Sequence, residues 1–139
     1  MGALHHALIG RAAALIKPHM GPGGRLHGDV SSIVVAESGR EFAGLCIDTP
    51  SWGTCAERSA LAAMVTAGEY RFRQVVAVWR NAETGDLHVL PPCGICREFM
   101  RQLDDTNLAA EVVLGDDRSA TLSDLLPEHA WPAPIERSR

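Results

Sequence analysis

Two short runs constrain this chain more than any others: "TCAERSA" at residues 54–60 and "PPCGICREF" at 91–99. Between them they hold Cys55, Cys93 and Cys96, three of the four cysteines in 139 residues. Each run opens what reads as a helix, because a small or turn-forming stretch gives way to spaced apolar residues. If the three thiols share a purpose, the fold must bring two helix starts together. Few arrangements of a chain this size do that.

The remaining sequence supplies elements in an order that can. Residues 3–16 recur apolar at helical spacing, and Lys17-Pro18 ends the run. "GPGG" at 21–24 reads as a loop, and "DVSSIVVAESGREFAGLCI" as two strands joined at Ser38-Gly39. A helix is predicted from about Cys55 to Ala67 with Gly68 as its stop, then a buried strand over 74–80 and another in "HVLPP". A helix from Cys93 to about Leu103, a strand in "AAEVVLG" and a short helix in "TLSDLLP" complete the order before a Pro-rich tail. Strands alternating with helices argue for an α/β fold, a mixed sheet with helices on its faces. Both cysteine runs fall at strand-to-helix junctions, where open sheets of this kind build their sites.

Composition narrows the function classes. At 139 residues, 46% apolar and 22% charged, the chain reads as one soluble domain, 1–139, able to bury a core without staples. A net charge of −4, scattered arginines and few aromatics argue against polymeric nucleic acid as a partner. No apolar run reaches membrane-spanning length, and the N-terminal stretch is broken by His5, His6 and Arg11 rather than built as a signal peptide. A cytoplasmic location is expected, where thiols stay reduced. Metal binding or catalysis is then a stronger reading of the cysteines than disulfides.

In the first turn of a helix, residues three apart share a face, so Cys93 and Cys96 can reach one ion while the helix N-terminus favours their thiolate forms. A C-x-x-C alone fits a redox dithiol equally well. Cys55, at a second helix start, favours three thiolates around one Zn²⁺ with a position left open, the layout of a catalytic rather than a closed site. Zinc lowers the pKa of a water in such a position from 15.7 to roughly 7. Glu57, two residues past Cys55, is the candidate catalytic general acid/base. Three thiolates leave the site net negative, and Arg58 and Arg97, each next to a motif, are expected to hydrogen-bond ligand sulfurs and draw off charge.

"TCAER" with "PPCGICRE" resembles the paired motifs of zinc-dependent cytidine deaminases and the related blasticidin S deaminases. The resemblance implies a three-layer α/β/α fold around a mixed five-stranded sheet and one zinc per subunit. It also implies a homo-oligomer, tetramer or dimer, in which neighbouring subunits help close the site. The implied reaction is hydrolytic: hydroxide attacks ring C4 of an aminopyrimidine nucleoside, cytidine or deoxycytidine by default, and ammonia leaves. The sugar-reading positions depart from the family pattern. The N-x-E of cytidine deaminases is here Cys46-Ile47-Asp48, the aromatic before the first strand is Gly28, and the spacing from Gly44 to Cys55 is similar to that of blasticidin S deaminases. Trp131 stands near the position of a closing Phe, and Glu98 where a Gln usually follows. Cys46, Asp48, Trp52 and Trp131 are the candidate substrate-binding residues.

Other readings stay open on the sequence. Cys46 is either a packed or pocket-lining thiol or the fourth ligand of a closed Cys₄ zinc, in which case Glu57 is only a carboxylate favoured by the helix dipole. Within the enzyme class the alternative substrate is a modified nucleoside of the blasticidin S type. Outside it stands a non-catalytic zinc-stabilised module that binds a nucleoside or a protein partner.

Overall fold

The period-2 alternation of Val30–Ala36 decides the architecture. Ile33 and Val35 point to one side of their strand and Val34 and Ala36 to the other, and all four are buried, so the strand is covered on both faces. The computed structural model, which describes residues 2–130 and 133–137, places helices on each side to do this. Its elements run α1 (Gly2–Leu15), β1 (His19–Met20), β2 (Leu26–His27), β3 (Val30–Ala36), β4 (Glu41–Leu45) and α2 (Ala56–Thr66). There follow β5 (Phe72–Arg80), β6 (Leu87–Val89), α3 (Gly94–Leu103), a 3-10 turn (Asp105–Ala109), β7 (Glu111–Gly115), β8 (Arg118–Thr121) and α4 (Leu122–Leu125).

Across the sheet the order is β4-β3-β5-β7-β8. The sheet is mixed: β5 and β7 run parallel from the Gln74–Glu111 pair, and the remaining neighbours are antiparallel. A sixth strand, β6, pairs with the far end of β5 at Trp79 and His88, on the edge β7 uses at Gln74 and Val75. Six strands thus occupy the five positions expected. Leu8, Ala12 and Ala13 of α1 pack on Ile33, Val35, Val76, Val78 and Val113. On the other face Ala60, Leu61 and Met64 of α2 and Cys96 and Met100 of α3 pack on Val34, Val75 and Val112. Burying Leu61 and Met64 fully contributes about 1.5–3 kcal/mol each.

Two contacts locate the ends of these helices. Gly44 lies so close to α2 that a Cβ there would meet the Ala60 nitrogen and the Ala56 carbonyl, so the absence of a side chain lets the helix start settle on β4. Buried Asn107 accepts the Phe72 N–H (3.0 Å) and donates to the carbonyls of Tyr70 (2.9 Å) and Met100 (3.0 Å), tying the end of α3 to the start of β5.

The expected helices and the hairpin at Ser38-Gly39 are present within a residue or two of the predicted bounds. Three elements were not legible. The "GPGG" loop is flanked by a two-stranded ribbon of β1 and β2. Strand β8, "RSAT", carries too little apolar alternation to announce itself and exists by pairing with β7. The 3-10 turn depends on Asn107 finding partners far away in sequence.

Candidate active site

Thr54 exchanges two backbone hydrogen bonds with Ile47 (3.0 and 2.9 Å), which anchors the residue before α2 to the chain leaving β4. Cys55 is then the N-cap of α2, extended at φ −72° and ψ 154°, with a side chain that makes no cap bond. Cys93 is the N-cap of α3 in the same conformation, φ −67° and ψ 168°, and its sulfur accepts the Cys96 N–H at 3.5 Å. An N-cap normally uses Ser, Thr, Asp or Asn to satisfy the first free N–H groups. Cysteine in both places exchanges good capping for two thiols aimed outward from helix N-termini.

The Sγ atoms of Cys55, Cys93 and Cys96 lie within 4.8 Å of one another. Cys55 and Cys93 are 3.6 Å apart, far beyond the roughly 2.05 Å of a disulfide. Thiolates about 2.3 Å from a tetrahedral zinc ion stand about 3.8 Å from each other, so the donor set fits that ion. The thiols differ in how readily they ionise. Burial opposes ionisation of Cys93, yet hydrogen bonds from Cys96 and its neighbours more than offset it and hold its pKa below the usual value. Burial raises both Cys55 and Cys96; at Cys55 the Arg58 hydrogen bond opposes it and Cys93 adds to it, while at Cys96 the Glu57 charge and the other two sulfurs add to it. Three thiols this close cannot all carry charge without a cation among them.

Glu57, in the first turn of α2, is only 5% exposed. It lines a narrow gap with Ala77, Leu90 and Pro92. Burial raises its pKa, opposed only in part by its own N–H and the Arg58 charge, and its negative charge is felt at Cys96. Such a carboxyl can hold or release a proton nearer neutrality than an exposed glutamate. Arg58 places Nη2 3.9 Å from the Cys55 sulfur, while its Nε is buried without a partner among the described residues.

Arg97 differs from expectation. Rather than meeting a sulfur, it donates from Nε to the Pro92 carbonyl (2.8 Å) and from Nη1 to the Leu125 carbonyl (2.9 Å). Its guanidinium bridges the backbone just before Cys93 and the last turn of α4. Cys46 also stays outside the cluster, with its sulfur 3.1 Å from Asp29 Oδ1 and its pKa raised by burial and by that carboxylate. Asp48 is exposed and paired with Arg25 (3.3 Å), and its N–H donates to His27 Nδ1 (3.0 Å). Trp52 is 74% exposed, and Trp131 lies outside the described residues. Asp29, Arg25 and His27 were not singled out from sequence: their partners at 46–48 are about twenty residues away, with no local pattern linking them. Gly28, at φ +77°, sits where a Cβ would strike the Lys17 carbonyl, so no aromatic fits this backbone.

No protein-family model matches the chain. It is 35% identical over 102 residues to a cytidine deaminase of Halalkalibacterium halodurans, covering 70% of this chain and 74% of that protein. Among solved structures, cytidine deaminase from Burkholderia pseudomallei superposes with a TM-score of 0.68 at 32% identity, over 89% of this chain and 97% of that one. Cytidine deaminase from Mycobacterium tuberculosis does so with a TM-score of 0.69 at 25% identity, over 89% and 94%. The chain belongs to the cytidine deaminase family, a family of hydrolytic deaminases.

Proposed function

We propose that residues 1–139 form a single catalytic domain that hydrolyses an aminopyrimidine nucleoside, cytidine or deoxycytidine by default, to its oxo product and ammonia. The observation that carries this reading is the convergence of three cysteine sulfurs beside a buried glutamate at two helix N-termini. Cys55, Cys93 and Cys96 would hold one zinc ion per subunit, which when bound supplies acidified water with a pKa near 7. Glu57 takes one proton from the attacking water and passes it to the ring nitrogen, then takes the second from the resulting C4 hydroxyl and passes it to the departing exocyclic amino group. Water adds its oxygen to C4, the C4–N bond breaks, and ammonia leaves. The walls around Glu57, Ala77, Leu90 and Pro92, keep bulk water from competing for that proton. Arg58 offsets part of the thiolate charge through Cys55.

A second substrate reading is favoured by the 28–48 region. With Gly28 barred from carrying the ring that packs on the base, and with Cys46 engaged by Asp29 and Asp48 by Arg25 where the ribose-holding N-x-E would stand, the 28–48 region departs from an ordinary cytidine site. This supports a modified nucleoside of the blasticidin S type. The family resemblance supports a cytoplasmic homo-oligomer, tetramer or dimer, working on small molecules. No helix among the described residues is long and apolar enough to cross a membrane.

The deciding experiment is an ammonia-release screen over cytidine, deoxycytidine, blasticidin S and related aminopyrimidines, run beside Glu57→Gln. Release from one substrate that disappears in the variant supports the enzyme. A zinc-bearing protein inert toward all of them, indistinguishable from its variant, leaves the non-catalytic module.

A further inference from the structure

We propose that Arg97 is a positioning residue: by clamping the Pro92 and Leu125 carbonyls together, it fixes the backbone from which Cys93 offers its sulfur to zinc. The proposal rests on the zinc reading above and goes beyond it, since the Arg97 guanidinium hydrogen-bonds backbone carbonyls rather than a ligand sulfur.

The peptide linking Pro92 to Cys93 is planar, so holding the Pro92 carbonyl also fixes the Cys93 N–H and the axis of its φ rotation. The Pro92 ring already restricts its own φ to about −65°. The Arg97 hydrogen bond at 2.8 Å then removes the remaining freedom at ψ, and Pro92 is buried, so water does not replace that donor freely. Cys93 is itself exposed and lies at a helix terminus, where chains fray. Apart from the clamp, the Cys93 sulfur is held against Cys96 by the Cys96 N–H it accepts at 3.5 Å, a long bond at a helix end.

The other jaw is anchored by contacts that do not involve Arg97. Leu125 lies 28 residues further along, in the last turn of α4, where carbonyls lack helical partners. Helix α4 is docked by fully buried Leu122 and by the Leu122 N–H on the Ala110 carbonyl (3.0 Å), and its first turn is capped by Thr121 Oγ1, which accepts the Asp124 N–H (3.1 Å). Arg97 therefore ties the thiol loop to a firm point in the C-terminal region. Two acceptors at different angles suit the planar guanidinium fork, and a lysine ammonium on its flexible stem can serve one of them well.

Zinc release from the purified holoenzyme to a chromophoric chelator tests this, with thermal midpoints measured alongside. Arg97→Gln is expected to release zinc about 10-fold faster than wild type, in the range seen when groups supporting a metal ligand are removed. Arg97→Lys should fall between the two. Leu8→Ala, which weakens the opposite face of the sheet, should lower the midpoint yet keep the wild-type release rate. Wild-type release in both Arg97 variants, or release in Leu8→Ala as fast as in Arg97→Gln, overturns the positioning role. If wild type holds no stoichiometric zinc, or Cys93→Ala retains it, the zinc reading falls and the proposal with it.

Discussion

The thiol cradle and the loop side formed by residues 25–29 and 46–53 are joined by the backbone pairing of Ile47 with Thr54, yet they are built by opposite means. The cradle hangs on regular structure: two helices whose positions are set by buried Leu61, Met64 and Met100 and by the contact of Gly44 with Ala60. Its functional atoms inherit that precision. The loop side is held by polar pairs at its surface, Arg25 with Asp48 and His27 with the Asp48 N–H, and by Thr49 Oγ1 accepting the Gly53 N–H at 2.7 Å. Chemistry common to a family belongs on the first kind of support, and substrate choice can change on the second without disturbing the core.

That contrast orders the expected effects. Glu57→Gln should lower turnover about 10²–10⁴-fold while leaving zinc bound, read by ammonia release and metal content. Retained turnover would erase the division between catalytic cradle and adaptable loop. Next, Cys93→Ala should abolish stoichiometric zinc, whereas Cys46→Ala should keep it, because the Cys46 sulfur faces Asp29 rather than the other thiols. Zinc loss in Cys46→Ala would extend the cradle into the loop and restore the Cys₄ reading.

The Glu57 carboxyl gives a pH test. Burial raises its pKa from the ordinary 4.5, so the folded protein binds this proton more tightly than the unfolded chain. Its contribution to stability is intact below 4.5 and is lost as pH rises through the folded value. In metal-free protein, Glu57→Gln should therefore melt higher than wild type at pH 8, and the gap should close toward about pH 4. A gap independent of pH would mean that the carboxylate is not desolvated. The smallest effect belongs to the loop: Arg25→Gln should cost no more than about 1 kcal/mol in a denaturant titration, since its pair with Asp48 is exposed. A larger loss would show the loop to be as firmly built as the cradle.

The paired motifs were legible because cysteine at two helix starts has few physical explanations, and Glu57 followed from its place two residues beyond Cys55. The α/β order was legible from the hairpin signal at Ser38-Gly39, from the short apolar run at 74–80 and from Gly68 as a helix stop. Strand β8 and the 3-10 turn were not, because neither carries its own apolar period: each is stabilised by partners that only the folded chain supplies. Arg97 marks the boundary most clearly. Its identity and its place after Cys96 are local facts, and from them a sulfur contact was the natural expectation. Only the docking of α4 brought the Leu125 carbonyl within 2.9 Å and turned the guanidinium toward it. Sequence by itself determined which residues carry reactive groups and on which elements, since periodicity and capping are local. The tertiary structure decided how those groups are oriented and supported, since that depends on contacts between residues far apart in the chain.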